Sequence, residues 1–195
     1  FPEGQLYFND IGCYTLGHAD PHNTAAALLC MGAGFTLAAG VSRVTGARTV
    51  GFMGDSTFFH AGMPALLNAI QTRANIVAVI LDNQVTAMTG FQPSPTGLLG
   101  PARPAQRADI AAVVRALGAD HVETVDPQDL PTAVAAFERA RDASGVSVII
   151  CEHPCPVHER RAAVPPAPRG RFVVDETRCR SCGRSCAGMQ CHLET

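Results

Sequence analysis

The chain has no tryptophan, two tyrosines and 6% aromatic residues in all, so large rings can anchor little of its core. Charge is scarce too: Asp, Glu, Lys and Arg make up 16% of the residues and the formal net charge is −2. That balance argues against a nucleic-acid partner and against electrostatic attachment to a membrane surface. No apolar run approaches the ~18 residues of a spanning helix, and no signal peptide is recognisable. Phe1 stands where an initiator methionine would be, which makes a fragment or a processed chain the expectation. What is plentiful is aliphatic: 47% of 195 residues are hydrophobic, enough for one α/β domain with a small appendage and for concealed contact surfaces.

The eight cysteines are unevenly spread. Cys179, Cys182, Cys186 and Cys191 crowd the end of the chain, whereas Cys13, Cys30, Cys151 and Cys155 are scattered, and Cys151 and Cys155, near a strand end, read as structural. A secreted disulfide framework would distribute its cysteines differently. Clustered thiols without a signal peptide point to metal ligation in a reducing compartment, hence the cytoplasm.

Two apolar runs end in oxygen-bearing side chains. Thr49–Met53 leads into Gly54-Asp55-Ser56, and Ile76–Leu81 leads into Asp82-Asn83. Between them Ala61–Ala74 carries Met63, Leu66, Leu67 and Ile70 at helical spacing, so the stretch reads as strand, helix, strand. Asp55 and Asn83 then fall at the carboxyl ends of parallel strands, where open α/β sheets bind ligands. A carboxylate and a carboxamide together suit a hard cation such as Mg²⁺, which takes few protein ligands and completes its shell with phosphate oxygens. Small residues around Asp55 let backbone N–H groups approach a diphosphate near a helix start. Two plainer readings compete: Asp55 as a helix N-cap and Asn83 as a turn residue.

The remaining pattern continues the alternation. A short strand or turn ends near Met31 and a small-residue helix follows; strands span about 48–54 and 76–82; residues 83–107 form a long loop rich in proline and glycine. Helices are predicted over Ala108–Leu117 and over Pro127–Ala143, the latter with proline in its first turn, and strands over His121–Val125 and Val146–Cys151. The fold class is α/β, a doubly wound parallel sheet over residues 1–153. A proline-rich linker is expected over 154–171 and a cysteine-rich tail over 172–195.

Four segments agree in order and spacing with one family: Asp10-Ile11-Gly12-Cys13-Tyr14-Thr15-Leu16-Gly17, Cys30-Met31-Gly32-Ala33, Gly54-Asp55-Ser56-Thr57-Phe58-Phe59-His60, and Leu81-Asp82-Asn83 through Thr86-Ala87-Met88-Thr89-Gly90. Together they resemble the thiamine diphosphate (ThDP)-binding region of the large (alpha) subunit of indolepyruvate:ferredoxin oxidoreductases, within the 2-oxoacid:ferredoxin oxidoreductases. The resemblance implies the ThDP-binding (PP) fold. It makes Asp55, Asn83 and the backbone carbonyl of Val85 the Mg²⁺ ligands. It places Gly12, Cys13, Met31, Gly32, Gly54, Ser56, Thr57, His60, Thr86 and Met88 around the cofactor, with Met31 as the apolar wedge that bends it. Cys13 and His60 are the candidate catalytic side chains, against plainer readings as a buried small hydrophobe and a capping histidine.

The tail reads Cys179-x-x-Cys182-x-x-x-Cys186-x-x-x-x-Cys191, four thiolates within the reach of one [4Fe–4S] cube. The family pattern has two residues between its second and third cysteines and proline after the fourth; here there are three, and His192 follows. A zinc site is the alternative for the tail.

By this resemblance the activity is oxidative decarboxylation of an aryl 2-oxoacid. Electrons would leave through iron–sulfur centres to ferredoxin or a similar acceptor, and coenzyme A would collect the acyl group. The glutamate that such enzymes place at the pyrimidine ring belongs to another domain. A pyrimidine-binding domain or subunit is therefore expected as partner, in a hetero-oligomer. Alternatives are a non-oxidative ThDP decarboxylase or lyase subunit and a catalytically silent subunit of the same fold.

Overall fold

The computed structural model describes residues 4–97 and 107–162. Its strands are β1 (Tyr7–Asn9), β2 (Ala27–Leu28), β3 (Thr49–Gly54), β4 (Ile76–Asp82), β5 (Val85–Thr86), β6 (Gln92–Pro93), β7 (His121–Val125) and β8 (Val146–Glu152). Six form one parallel sheet in the order β2-β1-β3-β4-β8-β7, and β5 and β6 make a small antiparallel hairpin. The helices are α1 (Ala33–Thr45), α2 (Asp55–Thr57), α3 (Met63–Gln71), α4 (Ile110–Leu117), α5 (Leu130–Asp142) and α6 (Pro156–Ala162).

The central strands are apolar along their length because both faces of the sheet are covered. Ile76, Ala78 and Ile80 of β4, with Val146, Val148 and Ile150 of β8, face α1, α3 and α4. Val77 and Val79, with Ile149 and Cys151, face the other way, toward Ala133, Ala136 and Ala140 of α5. Alternation along each strand thus splits one continuous run of Val and Ile between two cores.

Helix α2 and helix α3 are joined by a π-helical turn, Phe58–Gly62. The cause lies in Pro64, near the start of α3. Proline has no N–H to give the carbonyl of His60, four residues earlier, and its ring crowds that carbonyl, so the preceding turn widens. The helix therefore starts at Asp55, directly after β3, and not at Ala61 as its apolar spacing suggests.

Other differences are local. β1 was not expected. Helix α5 starts from an N-cap at Asp129, whose side chain accepts the Thr132 N–H, and its first-turn proline is Pro131 and not Pro127. Helix α6 occupies residues read as linker. The tail cysteines lie outside the described residues. Among the described residues no helix is long and apolar enough to cross a membrane.

The edge at the amino ends of β3 and β8 is closed by one side chain. The half-buried Arg48 guanidinium donates to the Ala140 carbonyl at 2.6 and 2.9 Å, to the Gly145 carbonyl at 2.9 Å and to the Ser147 hydroxyl at 2.8 Å, and it also reaches Asn75.

Helix α1 lies so close to β3 that a Cβ on Gly34 would sit 2.3 Å from the Phe52 carbonyl oxygen, a backbone atom that cannot step aside. Gly34→Ala is expected to cost about 3 kcal/mol or more by forcing α1 off the sheet. Gly40→Ala, on the same helix with nothing within 4 Å of the added carbon, should be neutral or stabilising by up to about 1 kcal/mol. Urea denaturation of the two variants checks the contrast; equal midpoints would contradict the packing described.

Candidate functional site

Strand order locates the crevice. The chain runs from β1 outward to β2 and then returns past β1 to β3, so its direction of winding reverses between β1 and β3. Ligands of doubly wound sheets sit outside the carboxyl ends of the strands at such a reversal. Three segments emerge there: Asp10–Gly12 after β1, Met31-Gly32 before α1, and Gly54-Asp55 after β3.

They are tied to one another. Asp10 is fully buried and its Oδ1 accepts the Gly32 N–H at 2.7 Å. Burial raises the Asp10 pKa, against the opposing pull of the Ile11 and Gly32 N–H groups and the nearby His60 charge. Asp10 Oδ2 is buried without a well-formed hydrogen bond, the Thr57 hydroxyl offering only a marginal one. Gly32, at φ +94°, is the N-cap of α1, and a Cβ there would lie 2.7 Å from that of Ala61. The Gly54 N–H donates to the Tyr14 hydroxyl at 3.0 Å.

Sheet register then brings acids together. Gly54 pairs with Leu81, so the next residue on each strand, Asp55 and Asp82, are neighbours; Asp82 in turn pairs with Glu152. Asp55 and Asp82 are both buried. One hydroxyl serves both: Thr96 Oγ1 lies 2.9 Å from Asp55 Oδ2 and 2.7 Å from Asp82 Oδ1, with Ser94 Oγ 3.0 Å away. Thr96 has one hydrogen to donate, so two buried carboxylates meet at a single donor. Burial is the main force raising the Asp82 pKa, and the charges of Asp55 and Glu152 add to it. The Thr96 hydroxyl and the Gln84 N–H, 3.1 Å from Asp82 Oδ1, pull the other way.

Asp55 is the first residue of α2, and the N-cap position belongs to Gly54. Its carboxylate is therefore not spent on capping. Asn83 Oδ1 accepts the Val85 N–H at 3.2 Å, closing a turn into β5, and Val85 is buried. The β5 strand packs on α2, which brings the Asn83–Val85 segment to the Asp55 helix. Among the described residues no group of three or more His, Cys, Asp or Glu side chains converges on a metal position.

The other expected residues are placed as follows. Gly12 and Cys13 begin a 3₁₀ turn over Cys13–His18, and Cys13 is exposed. Met31 is 46% exposed beside the α1 N-cap. Ser56 and Thr57 lie in α2, with Thr57 buried; His60 lies exposed in the π-helical turn. Thr86 is in the hairpin and Met88 is half exposed beyond it. Tyr14, Asp10, Asp82 and Thr96 were not foreseen as site residues. Register was the available signal for Asp82, since the parallel pairing of two equal-looking runs fixes which residues sit side by side.

Comparison with known proteins bears on this geometry. Residues 10–151 match the family model of the thiamine pyrophosphate enzyme C-terminal TPP binding domain. The chain is 44% identical over 183 residues to indolepyruvate oxidoreductase subunit IorA of Methanothermobacter marburgensis, covering 92% of this chain and 28% of the relative. It is 40% identical over 197 residues to the IorA subunit of Pyrococcus abyssi, covering 91% and 30%. The chain thus spans less than a third of the length of these relatives. A 2-oxoglutarate:ferredoxin oxidoreductase from Magnetococcus marinus superposes with a TM-score of 0.66 at 18% identity, covering 86% of this chain and 62% of that one. A thiamine diphosphate-dependent 4-hydroxybenzoylformate decarboxylase from Rhodococcus jostii RHA1 gives 0.54, also at 18%, covering 78% and 30%. At such identities these likenesses establish the parallel α/β fold alone. With a family model matching 142 of its 195 residues (10 to 151), the chain belongs to the thiamine pyrophosphate enzymes, as their C-terminal TPP-binding domain.

Proposed function

We propose that this chain is the ThDP-binding part of a 2-oxoacid:ferredoxin oxidoreductase of the indolepyruvate type, which converts an aryl 2-oxoacid and coenzyme A to acyl-CoA and CO₂. The observation that carries the reading is the pair of buried carboxylates, Asp55 and Asp82, meeting at one hydroxyl at the carboxyl edge of the sheet. Two buried negative charges with a single hydrogen between them call for a cation, and an oxygen-only surrounding suits Mg²⁺. In this reading Asp55, Asn83 Oδ1 and the Val85 carbonyl hold it. The carboxamide oxygen of Asn83 keeps a lone pair for the ion while it accepts the Val85 N–H.

Bound ThDP would supply the electron sink that makes cleavage next to a 2-keto group feasible. The residues of the chain bind and orient. Gly12, Gly32 and Gly54 offer backbone without side-chain bulk, and the N–H groups at the start of the Asp55 helix would hold the diphosphate, with Ser56 and Thr57 beside them. Met31 supports the cofactor, with Thr86 and Met88 at its margin. His60 is our candidate for holding or moving a proton, and Cys13 for lining the reaction pocket.

The preference for an oxidoreductase over a non-oxidative decarboxylase rests on the IorA relatives and on the four clustered cysteines, because the fold is common to both. Cys179, Cys182, Cys186 and Cys191 are proposed as ligands of a [4Fe–4S] cluster that passes electrons to ferredoxin or a similar acceptor, zinc being the alternative. Exposed apolar side chains follow β1 and β2 on the carboxyl side, Leu16 at 76% and Leu29 at 69%. They support a covering partner, which we take to be the pyrimidine-binding domain or subunit, in a cytoplasmic hetero-oligomer.

Three outcomes test the reading, each in the full-length subunit assembled with its partner. Asp55→Ala should weaken ThDP–Mg²⁺ binding roughly 100-fold or more, the consequence of losing about 3 kcal/mol from a buried ion contact; calorimetric titration giving an unchanged affinity would refute the metal role. Thr96→Val, nearly the same shape without the hydroxyl, should destabilise the cofactor-free protein by about 1–3 kcal/mol, because Asp55 loses the Thr96 donor and Asp82 is left with the Gln84 N–H alone. Thermal melting with and without Mg²⁺ measures this, and a wild-type midpoint would count against the shared contact. Cys182→Ser should bleach visible absorbance while ThDP binding persists; colour that survives assigns the cluster to other residues.

A further inference from the structure

Tyr14 is placed with more care than a surface tyrosine needs. It lies two residues beyond Gly12 and reaches across to the Asp55 turn, where its oxygen accepts the Gly54 N–H at 3.0 Å. Its ring folds back over its own turn: a Cβ on Gly12 would fall 2.3 Å from Tyr14 Cε1, so only glycine leaves room for the ring in this position. The same carbon lies at an ordinary 3.6 Å from where a Gly54 Cβ would be. The ring therefore spans the two backbone turns that border the crevice.

A phenol that accepts from an N–H still has its own hydrogen to give. Among the described residues no hydrogen bond from the Tyr14 hydroxyl is formed; the bond to Gly54 is the one it makes, as acceptor. The nearby carboxylates of Asp10 and Asp55 act on it through their charge, but neither forms a hydrogen bond with it. Burial, together with the Asp10 and Asp55 charges, pushes the Tyr14 pKa up, so the hydrogen stays in place throughout the neutral range. Acceptance from Gly54 also polarises the O–H bond and makes it a better donor. A half-buried donor at a ligand crevice, fixed from two sides and lacking an acceptor, has the form of a binding group.

We propose that Tyr14 is a further ligand-binding residue: its phenol, held by the Gly54 N–H, donates its O–H to an anionic oxygen of the molecule in the crevice. The proposal rests on reading that crevice as the ThDP–Mg²⁺ site. Two sources offer such an oxygen, the diphosphate of the cofactor and the carboxylate of a bound 2-oxoacid, and the cofactor is the expected one because Tyr14 touches the residue before Asp55.

The experiment compares wild type with Tyr14→Phe, which keeps the ring and removes the hydroxyl, in the full-length subunit with its partner. ThDP with Mg²⁺, and separately inorganic pyrophosphate with Mg²⁺, are titrated calorimetrically; KM and kcat for an aryl 2-oxoacid are measured at saturating ThDP. Loss of one hydrogen bond to a charged acceptor should weaken ThDP and pyrophosphate alike by about tenfold, with only the small drop in cofactor-free melting temperature that loss of the Gly54 contact brings. A rise in KM of similar size with ThDP affinity intact would also support a donor to an anion and would assign it to the substrate carboxylate. No change in any of these overturns the proposal. So does a uniform loss of all ligands that the drop in cofactor-free melting temperature accounts for in full, because that is the mark of a tether alone. If wild type itself fails to bind ThDP, the reading of the crevice fails, and Tyr14 is not what failed.

Discussion

Asp55 and Asp82 sit next to each other because β3 and β4 pair in parallel with Gly54 opposite Leu81. Neighbouring strands are ~4.8 Å apart, so each strand that ends in an acid adds a charge to one row along the carboxyl edge, and Glu152 extends it. At an effective dielectric of about 20, two unit charges ~5 Å apart repel by roughly 3 kcal/mol. A sheet would not keep this arrangement for stability alone. Thr96 relieves it in part, with one hydrogen for two carboxylates, and Ser94 braces Thr96 from behind. Everything else at the edge is arranged around that charge: the helix that starts at Asp55, the turn at Asn83, and the loop that returns to deliver Thr96.

The parts of the molecule that were legible in the sequence are those in which a local pattern and the tertiary environment agree. β4 and β8 are long runs rich in Val and Ile that end in Asp82 and Glu152, and β3 is an apolar run that leads into Gly54-Asp55; such runs have few other homes. β1 is three residues, Tyr7-Phe8-Asn9, with a buried asparagine at its end. Nothing in so short a segment marks it as a strand, and what makes it one is pairing with β2 and β3. The early start of the Asp55 helix was hidden because the π-helical turn over Phe58–Gly62 breaks the 3.6-residue spacing, so the apolar pattern that begins at Ala61 does not run back to Asp55.

The candidate site divides the same way. Asp55 and Asn83 were legible because each follows an apolar run. Asp82 reads in sequence as a residue that pairs locally, and it does accept the Gln84 N–H; its longer-range role comes from register and from Thr96, fourteen residues on in a loop with no periodicity. Tyr14 is invisible for a related reason: its place at the site comes from a ring crossing from one strand end to another, and no spacing rule links residue 14 to residue 54. Residues that act through a neighbouring strand are the ones that a linear reading loses.

The two edges of the sheet carry opposite designs. At the amino edge the Arg48 guanidinium is spread over the Ala140 and Gly145 carbonyls and the Ser147 hydroxyl, and it also reaches Asn75. Burial lowers its pKa, yet those acceptors keep its charge solvated by protein. That edge is finished. The carboxyl edge is not: Asn9 Nδ2 is buried without a partner, Asp10 Oδ2 has at best a marginal one, two carboxylates share a hydrogen, and apolar side chains stand exposed. Buried polar groups are seldom left unpaired, because each costs about 1–3 kcal/mol. Among the described residues such deficits gather at the carboxyl edge, and under the proposed function a cation and an anionic ligand would relieve the very strain that the register builds in.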